Sequence, residues 1–199
     1  MKIYFVRHGK TQWNLEKRLQ GQKGDSPLLP ESYEAIARVN ERLGQIVQFD
    51  KVISSPQPRA VTTAKLLTAL PVKTDNRLSE WNFGQLEGQL VANALLKYPD
   101  EMFASRIELQ NFDGRHFGAE TVAHVLARFD SLASDLKKQE AENILLVGHG
   151  ASGTAGMRHL AGFPLQELRT AGGLANNSVT VLETKGQRFE MLHWNKVLL

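Results

Sequence analysis

Ile3-Tyr4-Phe5-Val6-Arg7-His8-Gly9 runs four apolar, β-favouring residues into an arginine, a histidine and a glycine. An uninterrupted apolar run this short reads as a strand covered on both faces, the kind found in parallel sheets. The same design recurs at Lys51-Val52-Ile53-Ser54, stopped by Ser55-Pro56, and at Asn143-Ile144-Leu145-Leu146-Val147, stopped by Gly148-His149-Gly150. Between these runs the apolar spacing is helical. Ala35, Ile36, Val39, Leu43 and Val47 predict a helix over 31–47; a second runs over 59–70 behind Pro58, where a first-turn proline is tolerated. Val122, Val125, Leu126, Phe129, Leu132 and Leu136 share one face of a third over 121–139. A further short strand is expected at 72–74, and two late ones at 178–183 and 188–193 that join at Lys185-Gly186. Buried strands alternating with helices predict an α/β fold: a three-layer sandwich with a mostly parallel central sheet, helices on both faces, and one domain over 1–199. Residues 89–118 are the least regular stretch. They read as a small helical lid or insert, or equally as a helical connection packed on the surface.

Composition removes several functional classes. The chain has 199 residues, 42% hydrophobic and 23% charged, enough for an ordinary core. It contains no cysteine, which excludes disulfides, thiolate metal sites and a cysteine nucleophile. A formal charge of +3, spread without a basic run, gives no reason to expect nucleic acid. No apolar stretch reaches the roughly 18 residues that span a bilayer, and the N-terminal segment lacks the form of a signal peptide. No membrane partner and a cytoplasmic location are therefore expected.

In an open α/β sheet, ligands bind beyond the carboxyl ends of the strands. Three polar clusters fall there: Arg7-His8-Gly9, Ser54-Ser55-Pro56 with Arg59, and Gly148-His149-Gly150. Two arginines and two histidines can thus converge from distant parts of the chain. Such a set suits phosphate, because guanidinium forks match its oxygens and remain charged. A neutral imidazole can attack phosphorus, and nearby arginines disfavour its protonated form. A second histidine, if protonated, can stabilise charge on the equatorial oxygens.

With their neighbours, these residues become more specific. Phe5-Val6-Arg7-His8-Gly9-Lys10-Thr11-Gln12-Trp13-Asn14 resembles the signature of the histidine phosphatase superfamily, which includes the cofactor-dependent phosphoglycerate mutases. The resemblance continues, in family order, at Leu19-Gln20-Gly21, at 54–64, at Leu78-Ser79-Glu80-Trp81-Asn82-Phe83-Gly84-Gln85-Leu86-Glu87-Gly88, at 118–121 and at Val147-Gly148-His149-Gly150. It implies that His8 is the nucleophile, that Arg7, Arg59 and His149 bind the phosphoryl oxygens, and that Asn14 adds a side-chain amide. It implies that Glu80 protonates the leaving alcohol and then deprotonates the attacking water, a double duty needing a carboxyl group that can start protonated. Glu87 is the rival acid, but its Glu-Gly context suits a turn. Gln20, Gly21 and Gly150 are candidates for substrate contact. No metal or cofactor is expected, since arginines supply the charge.

Some positions depart from the common pattern. Lys10 stands where a polar or acidic residue is frequent; it either draws anionic substrates to the mouth or is simply solvated. Leu29 and Ser32 replace the usual threonine and glycine before the next helix, with Ser32 free to act as its cap. Gly148 replaces a frequent serine or alanine. In the lid, Arg106, Arg115 and His116 are candidates for a second anionic group on the substrate.

The expected function is hydrolysis of small phosphate monoesters through a phosphohistidine. A mutase is the alternative, weakened because the chain has no adjacent arginine pair to grip a substrate carboxylate. A non-catalytic module binding a phosphate ligand is the alternative from another class. Gly148-His149-Gly150-Ala151-Ser152-Gly153 also matches G-x-G-x-x-G, but 160–168 does not read as the strand a dinucleotide fold needs next. The expected partner is a small phosphorylated metabolite, with the chain a monomer or homodimer. The apolar end, Val197-Leu198-Leu199, is expected to dock on the body or on a neighbouring subunit.

Overall fold

The computed structural model describes residues 1–198; Leu199, the last residue of the apolar end, lies outside them. Six strands form one sheet: β1 (Lys2–Arg7), β2 (Lys51–Ser54), β3 (Val72–Thr74), β4 (Asn143–Gly148), β5 (Val179–Lys185) and β6 (Arg188–Lys196). Their order is β3-β2-β4-β1-β5-β6. The first four in that order are mutually parallel, and β5 and β6 extend the sheet antiparallel. The helices are α1 (Gln12–Leu15), α2 (Pro30–Gly44), α3 (Pro58–Leu67), α4 (Val91–Lys97), α5 (Pro99–Arg106), α6 (Val122–Lys137) and α7 (Ala151–Leu160).

The strand period of two sorts the sheet residues into two cores. Ile3, Phe5, Ile53, Ile144, Leu146 and Leu182 pack with Val125, Phe129 and Leu132 of α6 and with Ala155 and Met157 of α7. On the opposite face, Tyr4, Val6, Val52, Leu145, Val147, Val179 and Val181 meet Ile36, Val39 and Leu43 of α2 and Ala60, Ala64 and Leu67 of α3. Alternate residues of one strand therefore serve different layers, which is why these strands show no apolar–polar alternation. Leu198 packs at the edge of the second core.

The helix ends differ from the sequence expectation in places. α2 begins at Pro30, behind Leu29, with no side-chain cap. Ser32 therefore does not cap the helix: it lies inside the first turn, and its hydroxyl donates to the Lys10 carbonyl at 2.6 Å. α3 stops at Leu67, three residues short, as Thr68 turns extended and Leu70 precedes a proline that disfavours helix. The 89–118 stretch is helical. α4 and α5 break at Pro99, two single 3₁₀ turns follow, and Ala94, Met102 and Phe117 bury with Leu19, Leu86 and Ala119 in a third small core. This unit sits over the segment that leads from β1 and borders the site described next.

Candidate active site

β1 and β4 are parallel neighbours at the centre of the sheet, so their carboxyl ends deliver His8 and His149 to the same edge. The two imidazoles lie 5.2 Å apart, centroid to centroid, and both are buried. The His8 backbone N–H donates to the Gly148 carbonyl at 2.9 Å, which continues the ladder and fixes the ring's origin. Its Nδ1 lies 2.7 Å from the Gly9 carbonyl. A carbonyl only accepts, so Nδ1 carries the hydrogen and Nε2 keeps its lone pair. Burial, then the charges of Arg59 and Arg7, hold this imidazole well below its ordinary range, against a small opposing effect of the Gly9 contact. The ring is therefore neutral at pH 7.

His149 Nε2 lies 2.7 Å from the Ser55 hydroxyl and 2.9 Å from Gln57 Oε1. Gln57 Nε2 donates to the Gln22 carbonyl, which turns the amide oxygen toward the imidazole and puts the hydrogen on His149 Nε2. His149 Nδ1 is buried without a hydrogen-bond partner. Burial, followed by Arg59, His8, Arg7 and Arg128, holds this ring well below the usual range as well.

Arg59, in the first turn of α3, is buried. Its Nη1 donates to Asp25 Oδ1 at 2.7 Å and to the Gly24 carbonyl at 3.1 Å, and its Nη2 donates to the Gly21 carbonyl at 2.9 Å. Arg7 Nη1 donates to the Leu174 carbonyl. In both arginines one edge is anchored, while Nε is buried and unpartnered. Each keeps a free edge with fork geometry for an oxyanion. Gly150 makes room for Arg7: a Cβ there would lie 3.0 Å from Arg7 Cζ and 3.1 Å from its Nε. Gly148 similarly accommodates the Phe5 ring, 2.7 Å from where a Cβ would stand.

Glu80 is 5% exposed. Its carboxylate accepts from the N–H groups of Trp81 (2.7 Å), Ala151 (2.9 Å) and Ser152 (2.7 Å), the last two in the first turn of α7. The general-acid candidate therefore docks on a helix N-terminus, where backbone donors and dipole both favour negative charge. The backbone of 77–80 is held in turn by Arg128 of α6. All five of its guanidinium N–H groups are used, on the carbonyls of Arg77, Ser79 and Glu80 and on both carboxylate oxygens of Glu120. Glu87 has a different place: its carboxylate accepts from the N–H groups of Gln22, Lys23, Gly24 and Phe83, tying the 21–24 loop down.

The remaining candidates divide. Asn14 follows the α1 cap Thr11, whose N–H its Oδ1 accepts at 3.1 Å while also taking Asn176 Nδ2 at 3.2 Å. The Gln20 amide is engaged by Thr11 and Ser26, and Gly21 presents its carbonyl to Arg59. The Lys10 ammonium has no carboxylate within 4 Å among the described residues. Beside Glu80 lies a cleft of about 410 Å³, lined by Trp81, Phe83, Met102, Leu109, Phe112 and Ala151 among others, and Arg106 stands on its wall. Arg115 and His116 do not line it: Arg115 pairs with Asp113 on the surface, and His116 lies 3.3 Å from Glu101 on another side of the 89–118 stretch. Arg106, Arg115 and His116 are therefore not gathered at one place.

Several site residues escape the sequence reading. Asn176 Nδ2 donates to the His8 carbonyl, and the Asn177 N–H donates to the Arg7 carbonyl, so the loop before β5 clasps the Arg7-His8 segment. Asn177 has φ +60°, and an Asn-Asn pair is a turn signal that could have flagged this loop. Arg169, buried beside the cleft, had no local signal at all. After α7 the chain makes a 3₁₀ turn at Leu165–Glu167 rather than a strand, unlike a dinucleotide-binding unit. No helix among the described residues is long and apolar enough to cross a membrane.

The profile of the histidine phosphatase superfamily (branch 1) matches residues 3–197. The chain is 33% identical over 154 residues to the probable phosphoglycerate mutase GpmB of Salmonella paratyphi A, covering 75% of this chain and 70% of that protein. Among solved structures, a mycobacterial glucosyl-3-phosphoglycerate phosphatase in complex with VO3 superposes with a TM-score of 0.88 at 30% identity, over 98% of both chains. Bacillus stearothermophilus YhfR gives 0.86 at 27% identity, over 98% of this chain and 97% of that one. The alpha-ribazole phosphatase of Shigella flexneri, 22% identical with a TM-score of 0.85 over 100% and 98%, shares the fold.

Proposed function

The chain belongs to the histidine phosphatase superfamily, and on that premise we propose that it hydrolyses small phosphate monoesters through a covalent phosphohistidine on His8. The observation that carries the reading is the His8 Nδ1 contact with Gly9 in the company of two half-free arginines: a neutral ring with its Nε2 lone pair available, beside cations that match phosphate oxygens.

Nε2 attacks phosphorus as the P–O bond to the alcohol breaks, and Glu80 gives its proton to the departing oxygen. The free edges of Arg7 and Arg59 balance the charge on the equatorial oxygens. Asn14 adds its amide. His149, neutral with Nδ1 unpartnered, takes up a proton as the phosphate dianion arrives and then donates from Nδ1. Glu80 next removes a proton from water, which attacks the phosphoryl group, and the P–N bond breaks to release inorganic phosphate and restore Nε2. The three N–H donors occupy three of the roughly four lone-pair sites of the Glu80 carboxylate, and the remaining site on Oε2 is the one that holds and releases that proton. A mycobacterial relative that is a phosphatase, 30% identical along the whole chain, agrees with hydrolysis.

The second reading, phosphoryl transfer between positions of a small acid, is favoured by the 33% identity to a probable phosphoglycerate mutase. Against it stands the lack of an adjacent arginine pair. A non-catalytic phosphate-binding module fits least, because nucleophile, acid and all four phosphate-facing groups are present. The test is mass spectrometry of protein quenched in alkali during turnover of p-nitrophenyl phosphate, beside the His8→Ala variant. A phosphoryl adduct on His8, with activity lost in the variant, is expected. Turnover without an adduct, surviving in the variant, sinks the reading. Conversion of 2- to 3-phosphoglycerate faster than phosphate release selects the mutase.

A further inference from the structure

We infer that Arg169 is a specificity-determining residue: it takes an anionic oxygen group on the alcohol half of the substrate, and that alcohol presents an apolar body to the cleft beside Glu80. The inference rests on the phosphatase reading above.

Arg169 is 9% exposed, yet its side chain makes no hydrogen bond and has no carboxylate within 4 Å among the described residues; its Nε is buried and unpartnered. The other buried arginines are provided for. Arg59 is tied to Asp25 and two carbonyls, Arg128 has five acceptors, and Arg158 donates to the Glu167 carbonyl and to Thr170. An unpaired buried guanidinium is costly, and its one compensating contact, the face of Trp81 with Cζ 5.7 Å from the ring centroid, returns only part of that cost. Glu80 lies close enough to favour the cation but spends its carboxylate on three N–H groups. What Arg169 lacks is an anion, and it lines the cleft.

The position of the cleft says which half of the substrate enters it. Trp81 and Ala151, two of the residues whose N–H groups hold the Glu80 carboxylate, are part of its wall. The oxygen that Glu80 protonates belongs to the leaving alcohol, so the rest of that alcohol extends into this space. At about 410 Å³ it exceeds what a three-carbon acid fills, and it lies within the usual range for small-molecule sites. Its lining is dominated by Leu19, Trp81, Phe83, Met102, Leu109 and Phe112. A polyol would leave most of its hydroxyls without partners there, whereas an aromatic or aliphatic body would not. Arg169 then fixes the orientation of that body by gripping its charged end.

The measurement compares 4-carboxyphenyl phosphate with its neutral near-isostere 4-carbamoylphenyl phosphate. The wild-type protein should favour the acid by about tenfold or more in kcat/KM, chiefly through KM. In Arg169→Met the acid-to-amide ratio should fall by about threefold or more, the remainder belonging to Arg106 on the same wall, and Arg169→Lys should restore part of it. Phenyl 1,4-bisphosphate distinguishes a phosphate from a carboxylate as the gripped group; preference for either anion over the amide supports the inference. For the body, 4-hydroxybenzoate should inhibit about tenfold more strongly than glycerate, and equal inhibition overturns that half. If the wild type turns over both aryl phosphates without preferring the acid, Arg169 has no such role while the phosphatase reading stands. If it turns over neither while hydrolysing p-nitrophenyl phosphate, the inference about the cleft falls; if it hydrolyses none of the three, the phosphatase reading itself falls. The wild-type ratio answers the question even if a variant does not fold.

Discussion

Replacing Arg128 with alanine should loosen the strap that carries Glu80. The guanidinium is 9% exposed and its partner Glu120 is 5% exposed, so the pair is buried and one partner would be left behind. Removing one member of such a pair costs about 3–5 kcal/mol. Glu120 would still accept from the Asn82 N–H at 3.2 Å and Gln22 Nε2 at 3.3 Å, and it has His124 at 2.8 Å, which moves the expectation toward ~3 kcal/mol. For a chain of this length that corresponds to a drop of roughly 6–12 °C in Tm. The carbonyls of Arg77, Ser79 and Glu80 would lose their donors together, so the carboxylate should be held less well on α7 and kcat should fall more than KM rises. Urea denaturation of Arg128→Ala, Glu120→Ala and the double variant closes a thermodynamic cycle, and the double variant should cost less than the two single changes together by about 1–3 kcal/mol. A single-variant cost below ~1 kcal/mol, or strict additivity, would refute a coupled latch.

Gly150→Ala pushes a methyl group to within 3.0 Å of Arg7 Cζ, so kcat/KM should drop about 10- to 100-fold with a near-wild-type melting curve; an unchanged kcat/KM would mean Arg7 can shift freely. His8 and His149 are held neutral in the folded state, and the unfolded chain binds protons more readily. Their contribution to stability is complete above pH ~6.5 and is lost as pH falls below it, with a slope approaching ~1.4 kcal/mol per pH unit for each ring. Denaturation curves from pH 7 to 5.5 should show a shallower slope in His8→Gln; identical slopes would contradict a depressed His8. Because His8 is already neutral, a pH profile of kcat/KM should show no loss of activity centred at pH ~6.5, and such a loss removed by no other substitution would count against a depressed His8.

Much of this molecule could be read from its sequence because the informative residues sit at strand ends. Four apolar residues followed by Arg7-His8-Gly9 announce both a buried strand and what it delivers, and Gly148-His149-Gly150 does the same. The parts that stayed hidden are those whose meaning depends on residues far along the chain. Arg128 looks like a polar position on an amphipathic helix until α6 lies across 77–80. Arg169 follows a 3₁₀ turn and has no pattern of its own; only the fold buries it against Trp81. Conversely Arg115 and His116 have the residue types of anion ligands, but Asp113 and Glu101, both within 15 residues in sequence, take them first. Ser32 has the residue type of a cap, whereas Pro30 starts the helix without one.

The register of β1 has a consequence for how the chain acquires its shape. Lys2 pairs with Asn143 on one side and with Glu183 on the other, so the strand of this sheet that comes first in sequence is one of its two central strands, and both its neighbours come late. Roughly 140 residues must follow before β4 exists, about 7–28 s at 5–20 residues per second. During that interval Ile3-Tyr4-Phe5-Val6 is an apolar β-strand without a partner, open to pairing with other nascent chains. Its long-range contacts also place the fold among slow folders. The two histidines meet only at the end of this sequence of events, so emergence of activity during refolding would report closure of the central sheet.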